Sequence, residues 1–479
     1  MNRFAVVVLS WVATGCLGPY EAPSGPTEVP LPEVRITASV VEDTTWTADN
    51  VYVLAQDTIV YVEGTTVLTV EPGTQVLGEI GSALIVSRDA QIVARGEPDN
   101  PIVFSSAQPV GSRKTGDWGG VVLLGNDELN KGPTQQIEGI AGEELRAQYG
   151  GDDPFDNCGA LEYVRIEFAG FELTDGYDGN ELNGLTLGGC GVNTFIRYVQ
   201  VHRGLDDGIE LFGGSVDLKF IVVSGAGDDS LDWDEGWDGR VQYGVIQQYP
   251  NPNDPEIEKI GDEGFEGDGA IIAKVDVDPK DGLDDVAAPF SYPVISNVTI
   301  LGSGDQKATA QNAMELKEGT AANLVNLLIA RQTGHGVNLK DPQTSAWLDP
   351  YAPDGAQLTL RNSVFYAVGA DGMSWARDDG EVGGDEDDDG GFDENAWLQT
   401  VELANSFNAD PALPEPDAAG AWITNPTPLW IPAPGSVAGK VGGTPPTGEF
   451  FDSAATFAGA IRPGSEVAWW DGWTAFPEN

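Results

Sequence analysis

Short apolar runs alternate with turn residues along most of the chain. The runs hold four to six residues rich in β-branched side chains, and Gly, Asn or Asp follows them, as in TIVYVEG, NPIVFSS, FIRYVQVHRG and VISNVTILGSG. Runs of this length and composition predict β-strands separated by tight turns. The chain is therefore predicted to be all-β.

Two consecutive segments of the same length repeat one pattern. Ile196–Asp217 reads IRYVQVHRGLDDGIELFGGSVD, and Leu218–Gly239 reads LKFIVVSGAGDDSLDWDEGWDG. A period of about 22 residues built from short strands predicts stacked rungs, whereas a leucine-rich repeat needs LxxLxLxxN and a propeller blade needs about twice the period. We predict a right-handed parallel β-helix in which each rung buries its inward side chains on its neighbours.

Changes in composition divide the chain into four segments. We predict a signal peptide over 1–15, a Pro-rich tether over 16–34, the β-helix over 35–408 and a C-terminal segment over 409–479. The last segment is expected to cap the final rung, with a separate small domain as the alternative. Insertions rich in Asp, Gly and Pro, expected to form surface loops, lie at 127–156, 250–268, 342–355 and 378–394.

The N-terminus, MNRFAVVVLSWVATGC, resembles the signal peptide and lipobox of bacterial lipoproteins. Its apolar stretch is too short to span a bilayer. The resemblance implies cleavage before Cys16 and a lipid on its thiol, and an ordinary secretory signal peptide is the alternative. Because Leu17 and not Asp follows Cys16, an outer-membrane lipoprotein on the cell surface is expected, held to the membrane by its lipid.

Besides the lipidated Cys16, the mature chain would keep two cysteines, Cys158 and Cys190. An exported location favours a disulfide between them, with two buried thiols as the alternative.

Several segments resemble a group of bacterial secreted and outer-membrane β-helix proteins. They include LTVEPGTQVLG, ALIVSRDAQIVARG, GDWGGVVLLG, YVQVHRGLDDGIELFGG and FFDSAATFAGAI. The resemblance implies a right-handed parallel β-helix at the cell envelope, and it implies no particular chemistry.

The balance of acidic and basic residues limits the classes of partner that the chain can bind. The chain has 76 acidic and 24 basic residues, a formal net charge of -52. Such a chain lacks the clustered Lys and Arg that nucleic acid or anionic lipid requires. It suits divalent cations, although acidity also serves solubility alone. We expect a monomer.

The repeated segments each contain an acidic doublet. Equivalent residues of adjacent rungs lie one strand spacing apart, roughly 4.8 Å, so Asp206 and Asp207 should lie beside Asp228 and Asp229. Carboxylates at that distance repel unless a proton or cation lies between them. We predict bound Ca²⁺, which prefers hard oxygen ligands. The alternative is that these residues simply form solenoid corners.

Two further segments suit calcium-binding loops, because carboxylates alternate before a glycine. The candidate ligands are Asp276, Asp278 and Asp281 in DVDPKDGLDD, and Asp385, Asp387 and Asp389 in DEDDDGGFDEN. The second departs from an EF-hand because Ala396 stands at its twelfth position. Solvated acidic loops are the alternative.

A catalytic role is one hypothesis, because right-handed β-helices include pectate lyases and polygalacturonase-like hydrolases; this is an analogy at the level of fold. The catalytic candidates are Asp207, Asp229 and His335. His335 follows Asp229 by more than 100 residues, and the rung after the second doublet carries YGVIQQY where that pattern needs Gly-His-Gly. This departure favours binding without catalysis.

Trp233 and Trp237 lie among acidic residues and are candidates for stacking on sugars, with core packing as the alternative. We predict a role in adhesion or in binding glycans or other extracellular ligands. A polysaccharide lyase or glycoside hydrolase, and a purely structural envelope protein, are the alternatives.

Overall fold

The predicted right-handed parallel β-helix is confirmed. The computed structural model describes residues 30–170, 182–249, 261–272, 285–304, 311–348, 357–377, 389, 391–414 and 430–477. Their strands form two parallel sheets, of 17 and nine strands, and two short antiparallel pairs. No helix within these residues is long and apolar enough to cross a membrane.

Each rung presents three strand faces. Face 1 is the nine-stranded sheet, with strands Ile59–Val62, Ala83–Val86, Val121–Leu124, Leu185–Gly188, Ile209–Phe212, Leu231–Asp234, Glu263–Asp268, Asn312–Lys317 and Asn338–Leu339.

Faces 2 and 3 together form the larger sheet. In the middle rungs one bent strand serves both faces, namely Gly159–Glu167, Phe195–His202, Asp217–Ser224, Arg240–Gln247 and Val294–Leu301. The other strands of face 2 are Thr44–Trp46, Val67–Val70, Gln91–Arg95, Asn323–Val325 and Thr359–Arg361. The other strands of face 3 are Glu33–Ile36, Val51–Leu54, Gln75–Gly78, Ile102–Ser106, Leu328–Ala330, Val364–Tyr366 and Ser406–Phe407.

The remaining elements are short. The antiparallel pairs join Gln135–Gln136 to Gln148–Tyr149 and Ile271–Ile272 to Asp285–Val286. The helices are Leu145–Ala147, Pro342–Ala346, Glu394–Leu398, Val401–Leu403 and Ala438–Val441, of which the first and fourth are 3₁₀. A disulfide joins Cys158 to Cys190, with Cα atoms 5.9 Å apart.

The register agrees with the predicted repeat. Ile196 lies opposite Leu218 in the larger sheet, and Glu210 lies opposite Asp232 on face 1. A shift of one residue would turn every inward side chain outward, so the apolar interior fixes this register. The expected loop over 250–268 is wrong at its end, because Glu263–Asp268 forms a rung strand.

A column of residues with left-handed backbone turns the chain from face 2 to face 3. Tyr163, Tyr198 and Phe220 have φ of 49°, 55° and 61°, which is costly for bulky side chains. Their rings stack on one another with centroids 4.4 Å apart. Because each ring covers the next, stacking across rungs offsets part of the backbone cost.

The described part of the C-terminal segment over 430–477 lies along this column. Trp473 contacts the rings of Tyr163 and Tyr198 edge-on, and Trp469 lies 5.4 Å from Phe220. The apolar outer surface of the corner, which needs shielding from water, explains this lateral position. Phe392, Trp397 and Leu398, which precede this segment, pack with the core of the β-helix.

Asparagines continue the corner column where the aromatic residues end. Asn326, with φ 62°, donates from Nδ2 to the carbonyl oxygens of Gly443 (3.1 Å) and Ala455 (3.2 Å). Its Oδ1 accepts from the Gly443 N–H at 2.8 Å. Asn tolerates the left-handed region better than most residues and here also binds the C-terminal segment.

We expect Asn326→Gly to lower the free energy of unfolding by about 2 kcal/mol, because three hydrogen bonds are lost while the left-handed backbone is retained. Chemical denaturation measures this loss, and limited proteolysis should cut 430–477 sooner. The matched control is Asn408→Gly, since Asn408 also has a positive φ but is exposed. Equal stability losses in the two variants would contradict the role assigned to Asn326.

Candidate functional site

The outward side of face 1 changes from apolar to acidic along the helix axis. Successive strands place residues opposite one another in a single column. In order, the column contains Tyr61, Ile85, Val122, Thr186, Glu210, Asp232, Glu266, Glu315 and Asn338. We call its four consecutive acids, Glu210, Asp232, Glu266 and Glu315, the acidic row.

Strand periodicity directs these acids outward. In Leu231–Asp234 the sequence Leu-Asp-Trp-Asp sends Leu231 and Trp233 into the core, so Asp232 points to the outer side. Glu210 takes the same place between the core residues Ile209 and Leu211.

The 127–156 insertion covers the apolar part of the column and ends at the acidic part. Leu129, Ile137 and Tyr149 pack with the outward side chains of the early face 1 strands. The Tyr149 hydroxyl then donates to Glu235 Oε2 at 2.9 Å, and Lys131 Nζ lies 2.5 Å from Asp234 Oδ2. The insertion therefore forms one border of the acidic row.

A second column lies at the corner before face 1, and we call it the corner ladder. Asn183 Oδ1 accepts from the Asp207 N–H (3.2 Å), Asp207 Oδ1 from the Asp229 N–H (2.8 Å), and Asp229 Oδ1 from the Glu263 N–H (2.8 Å). Asn312 then donates to Glu263 Oε1 at 2.8 Å. Each side chain thus holds the next rung.

The second aspartate of each doublet is therefore a corner residue. Asn183 performs with a neutral amide what Asp207 and Asp229 perform with carboxylates. Hydrogen bonding alone explains an Asx residue at this place and does not explain the charge. The charge therefore calls for a further explanation.

The doublets and the acidic row together form linked clusters of carboxylates. Within each cluster, an oxygen from every member lies within 4.8 Å of the others. The clusters are Asp206, Asp207 and Asp228; Asp207, Glu210 and Asp232; and Asp232, Glu266 and Asp268. We call the second the inner triad and the third the outer triad. The inner triad is wholly buried, while Asp206 and Asp228 are partly exposed.

Burial makes the charged form of these groups unfavourable. It is the main cause that raises the pKa of Asp207, Glu210, Asp229 and Asp232 well above the usual range. Neighbouring carboxylates raise these pKa values further. Four such groups carry either protons or a bound cation.

Lysines neutralise the surroundings of the inner triad. Lys131, Lys317 and Lys340 form ion pairs with Asp234, Glu266 and Glu315 at 2.5, 2.7 and 2.7 Å. In the described ranges, no Lys or Arg forms an ion pair with a member of the inner triad.

The inner triad also contains an unsatisfied oxygen. Asp232 is 6% exposed, and its buried Oδ1 has no hydrogen-bond partner among the described residues. Buried polar atoms rarely go without a partner. The donor set of three carboxylates fits a hard divalent cation such as Ca²⁺, and Asp207, Glu210 and Asp232 would hold it.

The burial of Trp233 and Trp237 contradicts the stacking hypothesis, and His335 lies away from the doublets, as its distance in the sequence indicated. Trp233 and Trp237 do not meet a ligand, because both side chains are fully buried in the core and donate from Nε1 to Thr320 Oγ1 and the Val216 carbonyl. His335 does not lie beside the doublets. Its backbone N–H donates to Asn312 Oδ1 (2.7 Å), which places it three rungs beyond Asp229 along the corner ladder.

The other predicted sites fall mostly outside the described residues. These are Cys16 with its signal peptide and most of the tether, and the aspartates Asp276, Asp278, Asp281, Asp385 and Asp387. Asp389 is described, and its Oδ1 accepts from the Gly391 and Phe392 N–H groups at 2.6 and 3.0 Å. It closes a turn by this contact.

Sequence reasoning missed Glu266, Asp268, Glu315 and Lys317. The strands IEL, LDW, FEG and MEL align across four rungs and carry an acid at the same place. The segments between the second and third and between the third and fourth of these strands are longer than the 22-residue period, which hid the alignment. The alternation within each strand was the signal that could have revealed it.

The fold and the site define a parallel β-helix protein with a largely buried row of carboxylates on one face. Residues 38–376 match the family model described as a pectate-lyase-like β-helix domain. This match covers more than half of the chain, and the protein therefore belongs to that family. No curated protein and no solved structure matches the chain significantly.

Stability without a cation should depend on pH. Burial raises the pKa of Glu263 and of Glu235 to about 7, above the value in the unfolded chain. The folded state therefore binds protons more tightly, and stability should fall as pH rises from about 4 to 7. Melting temperatures in a chelating buffer across this range test the direction.

Glu263→Gln should flatten that pH dependence, since the amide keeps an acceptor for Asn312 but does not ionise. Glu402→Gln is the matched control because Glu402 is exposed. The assignment fails if both variants keep the full slope of the unmodified protein.

Proposed function

We propose that the protein is a calcium-dependent binding protein of the cell surface, anchored to the outer membrane through a lipid on Cys16, that acts in adhesion or glycan binding without catalysis. The observation that carries the proposal is the inner triad. Its three buried carboxylates lie together, Asp232 Oδ1 has no hydrogen-bond partner in the part of the chain that the structure describes, and the nearby lysines pair with other acids.

A cation at this place also has a route to an external ligand. The cluster of Asp206, Asp207 and Asp228 shares Asp207 with the inner triad and is partly exposed. Ca²⁺ takes six to eight oxygen ligands, so a cation bound beside this partly exposed cluster keeps coordination positions for hydroxyl or carboxylate oxygens of a ligand. This arrangement supports binding of an oxygen-rich ligand such as a glycan.

The enzymatic alternative, a polysaccharide lyase or glycoside hydrolase, draws on membership of a pectate-lyase-like family, which is an argument from fold. A lyase needs a base close to the cation. Burial alone would lower the pKa of Lys317, but Asp268 and Glu266 raise it above the ordinary value, so this lysine stays protonated. A purely structural envelope protein is the remaining alternative.

Calcium should stabilise the fold measurably. We expect Ca²⁺ in excess to raise the melting temperature and EDTA to reverse the change. Binding to the folded state alone contributes about 2.7 kcal/mol when free Ca²⁺ is 100 times the Kd. Asp207→Asn should abolish the response while it keeps the acceptor for the Asp229 N–H.

Asp207→Leu separates the two roles of this residue, because it removes the ligand and also leaves the Asp229 N–H without its partner. It should cost a further 1–3 kcal/mol or so relative to Asp207→Asn. A melting temperature that does not change across millimolar Ca²⁺ would refute the calcium proposal.

Glycan binding should be observable on an array of immobilised polysaccharides with Ca²⁺ and be lost with EDTA. The bound glycans are then incubated with the protein and analysed for new reducing ends and unsaturated products. Binding without product supports the proposal. Cleavage that Asp207→Asn abolishes would overturn it in favour of the enzymatic alternative, and a blank array would favour the structural one.

A further inference from the structure

The outer triad differs from the inner triad by a resident positive charge. Lys317 lies opposite Asp268 on the neighbouring strand of face 1. Its Nζ is 2.7 Å from Glu266 Oε1 and 3.6 Å from Asp268 Oδ2. The ammonium group therefore lies between two of the three carboxylates.

The two triads share the same arrangement of carboxylates, although Glu266 and Asp268 of the outer triad are partly exposed. Both include Asp232, both bring an oxygen of each member within 4.8 Å of the others, and they occupy successive positions along the helix axis. Buried Oδ1 atoms of Asp232 and Asp268 have no hydrogen-bond partner within the described residues. The outer triad thus retains donor oxygens that Lys317 does not satisfy.

We propose that Lys317 occupies a second cation position of the acidic row, so that the row binds one Ca²⁺, in the inner triad, and a tethered ammonium takes the place of another. This inference rests on the proposed function. A second Ca²⁺ sharing Asp232 at about one strand spacing would bind more weakly than the first, because the two ions repel each other. A single charge supplied by the chain reduces that repulsion and needs no ion from solution.

Lys340 provides a matched comparison. It forms a 2.7 Å ion pair with Glu315, the next acid of the row, and Glu315 belongs to neither triad. If Lys317 forms only an ordinary ion pair, the two lysines should behave alike when neutralised. If it occupies a cation position, only its removal creates a new site.

The experiment counts bound Ca²⁺ on the full-length protein by native mass spectrometry, supported by isothermal titration calorimetry. We expect Lys317→Gln to bind one Ca²⁺ more than the unmodified protein and Lys340→Gln to bind the same number. Comparison between variants cancels ions held elsewhere on the chain. Lys317→Arg keeps the charge and should keep the original count.

An unchanged count in Lys317→Gln overturns the inference, as does a gain of one ion in Lys340→Gln. If Lys317→Gln folds only in Ca²⁺, the count is taken on protein refolded in Ca²⁺, and the same criterion applies. Asp232→Asn tests the proposed function separately and should lose one ion. If it loses none, the inner triad is not the calcium site, whatever Lys317→Gln shows.

Discussion

The stacking of equivalent residues at one strand spacing governs the whole molecule. A side chain chosen for one rung meets its counterpart on the next at roughly 4.8 Å. This stacking stabilises apolar side chains and aromatic rings, such as those of Tyr163, Tyr198 and Phe220. Stacked carboxylates repel one another unless a proton or a cation lies between them. The acidic row is therefore the place where the fold and the charge conflict.

That conflict explains how the lysines and the insertion are arranged. Lys131 comes from the insertion, whereas Lys317 and Lys340 come from or follow the rung strands, and each lies against a different acid. The first two acids of the row, Glu210 and Asp232, are left to the inner triad. A site of this kind arises from the sum of several rungs, and no single rung contains it.

The sequence predicted the parts of the fold that repeat. Its 22-residue alignment gave the observed pairing of Glu210 with Asp232, because the apolar core fixes the register. It failed where alternation within a strand overrides local composition: Trp233 looks like a surface residue among acids, yet it occupies an inward position. The Trp233 ring fills this inward position so closely that a Cβ added at Gly267 would lie only 2.3 Å from it. The lateral path of the C-terminal segment depends on contacts between residues hundreds of positions apart, which no local pattern encodes.

The corner ladder separates shape from charge. Asn183 and Asn312 participate in it as amides, while Asp207 and Asp229 participate as carboxylates. An exchange of Asn for Asp at one rung changes the local charge by one unit and retains the acceptor oxygen that holds the next rung. The charge along the helix axis can therefore be changed rung by rung, by exchange of a carboxylate for an amide, while the geometry of the solenoid stays the same.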